Sequence, residues 1–199
     1  MAALVIDGIL RNQPVADQPV VFIYCNYKEQ EILTFERMLS SILRQVVELQ
    51  SNIHELVTKS LDLHVERKTR FSVDELRRVL AGVIKTSVRL NVVIDALDEC
   101  GTCARLELLS FMEELRKEND VRLLATSRFF PDVESHPVFL NQPTLEIRAS
   151  DQDIGCYVKS RDRELNRQIL SQPKLLQSIV LGIVDVAGGM YVCSLLCNN

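Results

Sequence analysis

Three acidic residues follow a short apolar run in the middle of the sequence. Val92–Ile94 leads directly into Asp95, and Asp98 and Glu99 come within the next four positions. A continuous apolar run is typical of a buried parallel strand, and open α/β sheets bind ligands at the carboxyl ends of their strands. Asp95 is therefore a candidate ligand for Mg²⁺, which prefers oxygen, and the following pair is placed to orient or deprotonate a water. The alternative is a core strand that ends in a solvated acidic turn. The additional acids Asp98 and Glu99 make this alternative less favoured.

The elements around this strand alternate between helix and strand. Periodicity and capping residues predict helices over 2–11, 34–49, 72–84 and 103–118, and strands over 20–25, 91–95, 121–125 and 144–148. The third strand ends in Thr126-Ser127-Arg128, residues 50–71 are predicted as short helical pieces with an exposed linker at 66–70, and Ser150–Asp153 is a further N-terminal cap. Such alternation indicates an α/β fold with a parallel sheet and helices on both faces. The predicted division is a core over 1–149 and a small helical packet over 150–199.

Composition limits the class of protein. The chain has 199 residues, 47% hydrophobic and 25% charged, which fits a packed globular protein. The net charge is −4 and the basic residues are dispersed, which argues against nucleic acid as the main partner. Six cysteines without a small-domain disulfide spacing, and a start without a secretory signal, predict a reducing, cytoplasmic compartment.

Several segments together resemble a known family. Ile94-Asp-Ala-Leu-Asp-Glu-Cys100, Thr126-Ser-Arg128 and Gly188-Gly-Met-Tyr191 occur in the order found in the NACHT class of STAND P-loop NTPases, in the form of fungal NLR-like proteins. The segments Phe22–Lys28 and Asp153–Tyr157 also match. The resemblance implies a P-loop NTPase-like core and a signalling switch that binds ATP or GTP with Mg²⁺ and then self-associates or assembles with other NACHT proteins.

The same resemblance assigns roles to individual residues. The segment from Ile94 would be the Walker B strand, with Asp95 binding Mg²⁺ directly or through water. Asp98 and Glu99 would be the catalytic acids that position the attacking water. Thr126 and Arg128 would contact the nucleotide, and Arg128 would sense its γ-phosphate.

One part of the family pattern is missing from this sequence. None of the seven glycines precedes a lysine, so the chain contains no G-x-x-x-x-G-K-[ST] phosphate loop. In the family that loop directly precedes the helix that begins here at Ala2, so the first strand is also expected to be missing. Without that first strand, the Val121 strand would have an unpaired apolar edge or would lie against the Thr144 strand. Without the loop, the phosphates lose several charge-assisted hydrogen bonds, each of which contributes about 1.5–3 kcal/mol. Nucleotide binding is therefore expected to be weak, with little or no hydrolysis. The alternative function is a non-catalytic interaction module that keeps the fold.

Three other features favour structural interpretations. Cys100 and Cys103 have the spacing of a redox or zinc pair, but further ligands would have to come from distant Cys193 and Cys197. The apolar stretch 179–197 approaches the length of a membrane span, yet it contains Asp185 and a Gly-Gly break. The histidines lack ligand spacing and are predicted to be surface or packing residues: His54, His64 and His136.

Overall fold

The structure is a computed structural model. It describes residues 2–12, 19–50, 53–86, 89–128 and 130–146, together with positions 150, 152–153, 156, 174–175, 177–179 and 181–182. The chain divides into two compact units, with the division after Thr144. The elements below belong to the first unit, and the predicted boundary between 149 and 150 stays a prediction.

Three parallel strands form the sheet in the part of the chain that the structure describes. They are β1 (Val20–Tyr24), β2 (Leu90–Asp95) and β3 (Val121–Ala125), in the order β1-β2-β3. The acidic strand β2 is therefore central, with hydrogen-bonded neighbours on both sides. This arrangement confirms the predicted α/β fold with a parallel sheet.

Helices cover both faces of this sheet. They are α1 (Ala2–Asn12), α2 (Phe35–Leu49), α3 (Glu55–Arg67), α4 (Val73–Ile84), α5 (Thr102–Glu118) and α6 (Pro131–Glu134), with 3-10 turns at Tyr27–Glu29 and Leu97–Glu99. Val92 and Ile94 point into the larger core with α2, α4 and α5, whereas Val93 joins α1 in a smaller core on the opposite face. Because β2 is buried on both faces, its sequence is a continuous apolar run instead of an alternating one.

Capping residues define the predicted helix starts. Oγ1 of Thr34 accepts the N–H of Arg37 at 3.4 Å and begins α2. Ser72 and Glu75 form the predicted capping box of α4, since the Ser72 Oγ accepts the Glu75 N–H while the Glu75 carboxylate accepts the Ser72 N–H. Each cap satisfies amide groups that the first helical turn leaves without an intrahelical partner.

The prediction for residues 50–71 was wrong in one respect. The described residues of this segment hold a single helix, α3, where short pieces and a linker from 66 were expected. Local capping sets its limits: the ring Nδ1 of His54 accepts the Leu56 N–H, and Lys68 ends the helix with a left-handed φ of 52°. Only Val57 is buried in α3, so the apolar periodicity that would reveal one helix is weak.

The predicted fourth strand is also wrong in its described part. Residues 144–146 have an irregular conformation, and Ile147 and Arg148 lie outside the described residues. A strand needs a neighbouring strand for its backbone hydrogen bonds. Within the described ranges β3 pairs with β2 alone, so its other edge has no strand partner among those residues.

Beyond residue 146 the structure describes isolated positions. The predicted cap is present, because the Asp153 carboxylate accepts the Ser150 N–H at 3.0 Å and the Ser150 Oγ accepts the Asp153 N–H at 3.1 Å. The rest of the predicted helical packet, including Gly188–Tyr191 and most of 179–197, lies outside the described residues. No helix in the described part of the chain has both the length and the apolar character needed to cross a membrane.

The capping box of α4 gives a stability prediction. Ser72→Ala removes the side-chain acceptor for the Glu75 N–H and should lower the free energy of unfolding by about 1 kcal/mol. The matched control is Ser110→Ala, at an exposed position inside α5, where alanine should be neutral or slightly favourable. Urea unfolding of the three proteins measures both values, and equal midpoints for the two variants would contradict the prediction.

Candidate functional site

The tips of β2 and β3 are joined through Thr126. Its hydroxyl donates to Oδ1 of Asp95 at 2.5 Å, and its Oγ1 accepts the Ala96 N–H at 2.9 Å. Two backbone hydrogen bonds flank this contact, from the Thr126 N–H to the Ile94 carbonyl and from the Leu97 N–H to the Thr126 carbonyl. Asp95 is thus held at the carboxyl edge of the sheet with a defined orientation.

Asp98 and Arg128 form a second link between the same two loops. The Arg128 backbone N–H donates to Oδ1 of Asp98 at 3.0 Å, and its Nε donates to Oδ2 at 2.6 Å. The Asp98 side chain is 4% exposed, whereas that of Arg128 is 67% exposed. The hydrogen bond and charge of Asp98 raise the pKa of Arg128 above its ordinary value. The carboxylate is therefore occupied, and the guanidinium is fixed with most of its surface toward solvent.

Glu99 connects these loops to the tip of β1. Its Oε2 accepts the Tyr27 N–H at 3.1 Å, while the Cys25 N–H donates to the Asp95 carbonyl at 2.9 Å. The loops after all three strands therefore meet at one edge of the sheet. Because parallel strands in an α/β sheet end on the same side, acids and donors that are distant in sequence come together there.

Ala96 has a backbone conformation that sequence reasoning missed. Its φ is 54° and its ψ is 49°, in the left-handed region that residues with a Cβ rarely adopt. This conformation turns the chain at once after Asp95 and begins the 3-10 turn carrying Asp98 and Glu99. Strain of this kind costs about 1–3 kcal/mol and is concentrated at functional sites.

Arg105 is a second residue that the sequence did not reveal. It is 1% exposed, its Nη1 donates to the Cys100 carbonyl at 3.0 Å, and its guanidinium lies 4.4 Å from the ring centre of Phe130. Its Nη2 lies 3.6 Å from the carboxylate of Asp132. Within the described part of the chain, Nε and Nη2 have no hydrogen-bond partner. An arginine on an otherwise apolar helix face gives no sequence signal for such burial.

The cysteines separate into two groups. Cys25 and Cys100 are buried, and the Cys100 thiol donates to the Gly101 carbonyl at 3.6 Å, whereas Cys103 is exposed. Interaction with the Cys100 side chain and burial raise the pKa of Cys25, while interaction with the Cys25 side chain and the charge of Arg105 lower the pKa of Cys100. The C-x-x-C spacing therefore combines one buried thiol, Cys100, with one exposed thiol, Cys103.

The metal-binding capacity of this edge is small by itself. Among the described residues, no three His, Cys, Asp or Glu side chains converge as a metal cage. The Asp95 carboxylate has one oxygen on Thr126, and within those residues its Oδ2 has no hydrogen-bond partner. A single carboxylate suits Mg²⁺, which usually keeps several waters and shares phosphate oxygens, and does not suit a cation that needs an all-protein cage.

All five residues predicted for the site lie at this edge: Asp95, Asp98, Glu99, Thr126 and Arg128. The parallel sheet, helices on both faces and acidic strand tips define a P-loop-like α/β core. A family model, Nephrocystin 3, N-terminal, matches residues 1–128, and the chain belongs to that family. No curated protein and no solved structure matches the sequence. Membership of the NACHT class is a finer assignment than this match and stays a prediction.

The left-handed Ala96 gives a prediction about strain. Ala96→Val places a β-branched side chain at a φ it rarely adopts, and should lower the free energy of unfolding by about 1–3 kcal/mol. Ala96→Gly should change it by less than about 1 kcal/mol, because relief of strain offsets the greater freedom of glycine in the unfolded chain. Urea unfolding distinguishes the two, and equal losses would show that φ at this position is unimportant.

The Asp98–Arg128 pair predicts unequal losses of stability when each partner is replaced. Arg128→Leu leaves a nearly buried carboxylate without its side-chain partner and should cost about 1–2 kcal/mol of unfolding free energy. Asp98→Asn removes the buried charge and should cost less, since the exposed guanidinium remains hydrated. The double variant should cost less than the sum of the two. Additive losses in denaturant unfolding would contradict an energetic coupling between the two residues.

Proposed function

We propose that this chain is the nucleotide-binding core of a NACHT-type signalling switch. The observation that supports this proposal is that Asp95, Thr126 and Arg128 lie together at one edge of the sheet, at the tips of adjacent parallel strands. Nucleotide-binding α/β sheets use this position for phosphate and metal. The site would take ATP or GTP with Mg²⁺ in the cytoplasm, and nucleotide would control self-association or assembly with other NACHT proteins.

Asp95 is the residue that would hold Mg²⁺. Its Oδ1 is oriented by the Thr126 hydroxyl, which leaves the other carboxylate oxygen for the ion or one of its waters. Bound there, Mg²⁺ would neutralise charge on the phosphate oxygens. Arg128, with 67% of its side chain exposed, is the cation available to the γ-phosphate.

The carboxylates of Asp98 and Glu99 differ in how many of their oxygens already accept hydrogen bonds. Both Asp98 oxygens accept hydrogen bonds from Arg128, which supports a role in positioning that arginine. Glu99 has one oxygen on the Tyr27 N–H, and its side chain remains partly exposed. Glu99 is therefore the better supported of the two as the group that orients a water.

A second candidate function is a non-catalytic interaction module. The observation that favours it is the lack of a G-x-x-x-x-G-K-[ST] segment in these 199 residues, since that loop supplies the amide cradle and the lysine for phosphate. A fold that keeps its acidic edge but binds nucleotide weakly could still assemble with relatives that have the loop.

A nucleotide titration tests the switch. Binding of a fluorescent ATP analogue with Mg²⁺ would be measured for this chain and for a longer version in which a strand and a phosphate loop precede α1. The longer version should bind at least tenfold more tightly. Asp95→Asn in it should weaken binding about tenfold or more, the loss of about 1.4 kcal/mol or more. The matched control is Asp62→Asn on the exposed surface of α3, which should leave affinity unchanged.

The outcomes separate the two functions. Binding that depends on Asp95 and not on Asp62 supports the switch. No binding by either folded version, or equal effects of the two substitutions, overturns it. Self-association of the 199-residue chain without nucleotide, measured by sedimentation equilibrium, would then support the interaction module.

A further inference from the structure

A buried arginine joins the turn that carries the acids to the segment that follows Arg128. Arg105 lies on the first turn of α5 and is 1% exposed. Its Nη1 donates to the carbonyl of Cys100, the residue that ends the 3-10 turn, at 3.0 Å. Its guanidinium carbon lies 4.4 Å from the ring centre of Phe130, two positions after Arg128. One side chain therefore contacts both of the loops that carry the predicted site.

Stability alone does not account for a charge at this position. Within the described part of the chain, Nε and Nη2 of Arg105 have no hydrogen-bond partner, and the Asp132 carboxylate is 3.6 Å from Nη2. The removal of a charge from water costs free energy that incomplete pairing does not return, and an apolar side chain of similar volume is often no less stabilising. A planar guanidinium can do something else: it donates in its own plane while it stacks through its face. That geometry suits a link between a carbonyl group and an aromatic ring.

Arg105 provides the second of two links between the same two loops. The first link is the Asp98–Arg128 pair, in which the backbone N–H and the Nε of Arg128 both donate to the Asp98 carboxylate. The second link runs from Cys100 through Arg105 to Phe130, two residues further along each loop. One link fixes a separation but permits rotation about it, whereas two links fix the orientation as well. Site residues need this kind of support to keep a productive geometry.

We propose that Arg105 is a positioning residue for Arg128. It acts through the backbone: it holds Phe130, and the short segment before Phe130 then keeps the exposed guanidinium of Arg128 in one direction at the edge of the sheet. The positioning is a property of the folded chain and does not require nucleotide. Its consequence for a γ-phosphate rests on the proposed function, in which Arg128 is the cation that the γ-phosphate contacts.

Hydrogen exchange in the 199-residue chain tests the positioning without nucleotide. Arg105→Met removes the planar fork and keeps much of the side-chain volume. The Arg128 amide, which donates to Asp98, should then exchange about tenfold faster, because the lost hydrogen bond and ring contact together amount to about one tenfold step. The amide of Leu43, in the buried middle of α2, reports global unfolding and should be unchanged. NMR follows the two amides separately.

Three variants accompany this measurement. The matched control is Arg116→Met on the same helix, because its Nη1 also donates to a backbone carbonyl, that of Val138 at 2.9 Å, and it should leave exchange at Arg128 unchanged. Arg105→Lys keeps the charge without the fork, so its exchange should lie between that of the wild type and that of Arg105→Met. Phe130→Leu removes the stacked ring and should reproduce part of the acceleration. It decides the question if Arg105→Met does not fold.

A nucleotide measurement extends the test to the longer version that includes a phosphate loop. Arg105→Met should weaken its binding of Mg²⁺-ATP about tenfold and leave the binding of Mg²⁺-ADP unchanged, since ADP lacks the phosphate assigned to Arg128. Arg116→Met should change neither affinity. If the longer version binds neither nucleotide, the proposed function fails, and the exchange measurement still decides whether Arg105 positions Arg128.

Three results would overturn the proposal. The first is exchange at Arg128 that is unchanged in Arg105→Met, or faster by the same factor as at Leu43, which would make Arg105 a contributor to global stability alone. The second is an equal acceleration at Arg128 in Arg116→Met, or none in Phe130→Leu. The third is a longer version that binds both nucleotides and loses ATP and ADP affinity equally on Arg105→Met.

Discussion

The Thr126 hydroxyl is the contact on which the acidic edge depends. It donates to the Asp95 carboxylate and accepts the Ala96 N–H, so one side chain from β3's tip fixes both an acid and the backbone turn that follows it. That turn directs Asp98 toward Arg128 and Glu99 toward Tyr27. A hydrogen bond with an ionised acceptor is shorter and stronger than a neutral one. The position of the acids thus follows from a partner about thirty residues away in sequence.

Burial on both sides of β2 provides the rigid support for this edge. Its residues alternate between a large core with α2, α4 and α5 and a small core with α1. A strand packed in this way has little freedom to tilt or slide, because a shift by one residue would exchange the two faces. The polar groups at its end can therefore keep their separations without a bound ligand.

The sequence predicted the fold well where a local signal, such as a cap or an apolar run, agreed with the tertiary structure. The apolar run before Asp95, the box at Ser72 and the cap at Thr34 each have a local physical cause, and the structure has the elements that they predict. The errors fall where local signals are weak. Helix α3 buries one residue, and the short alternating segment expected as a strand at 144–148 is irregular over its described residues 144–146. Acids and donors at strand ends could be anticipated, but which pairs would form could not.

Contacts between loops had no signal at the level of one sequence. Nothing in the spacing of Tyr27 and Glu99 marks them as neighbours, and the apparent C-x-x-C pair combines a buried thiol with an exposed one. Burial of Arg105 is similarly invisible, because its partners are a carbonyl group and an aromatic ring. Sequence periodicity reports which face of an element is apolar. It does not report where separate loops converge.

The outer edge of β1 is capped by a side chain from α2. The Gln45 side chain accepts the Phe22 N–H at 3.0 Å and donates to the Phe22 carbonyl at 2.9 Å, so an amide from α2 takes the place of another strand's peptide group. An incoming chain would have to displace that amide before it could extend the sheet on this side. Growth of the sheet by strand addition is therefore disfavoured beyond β1.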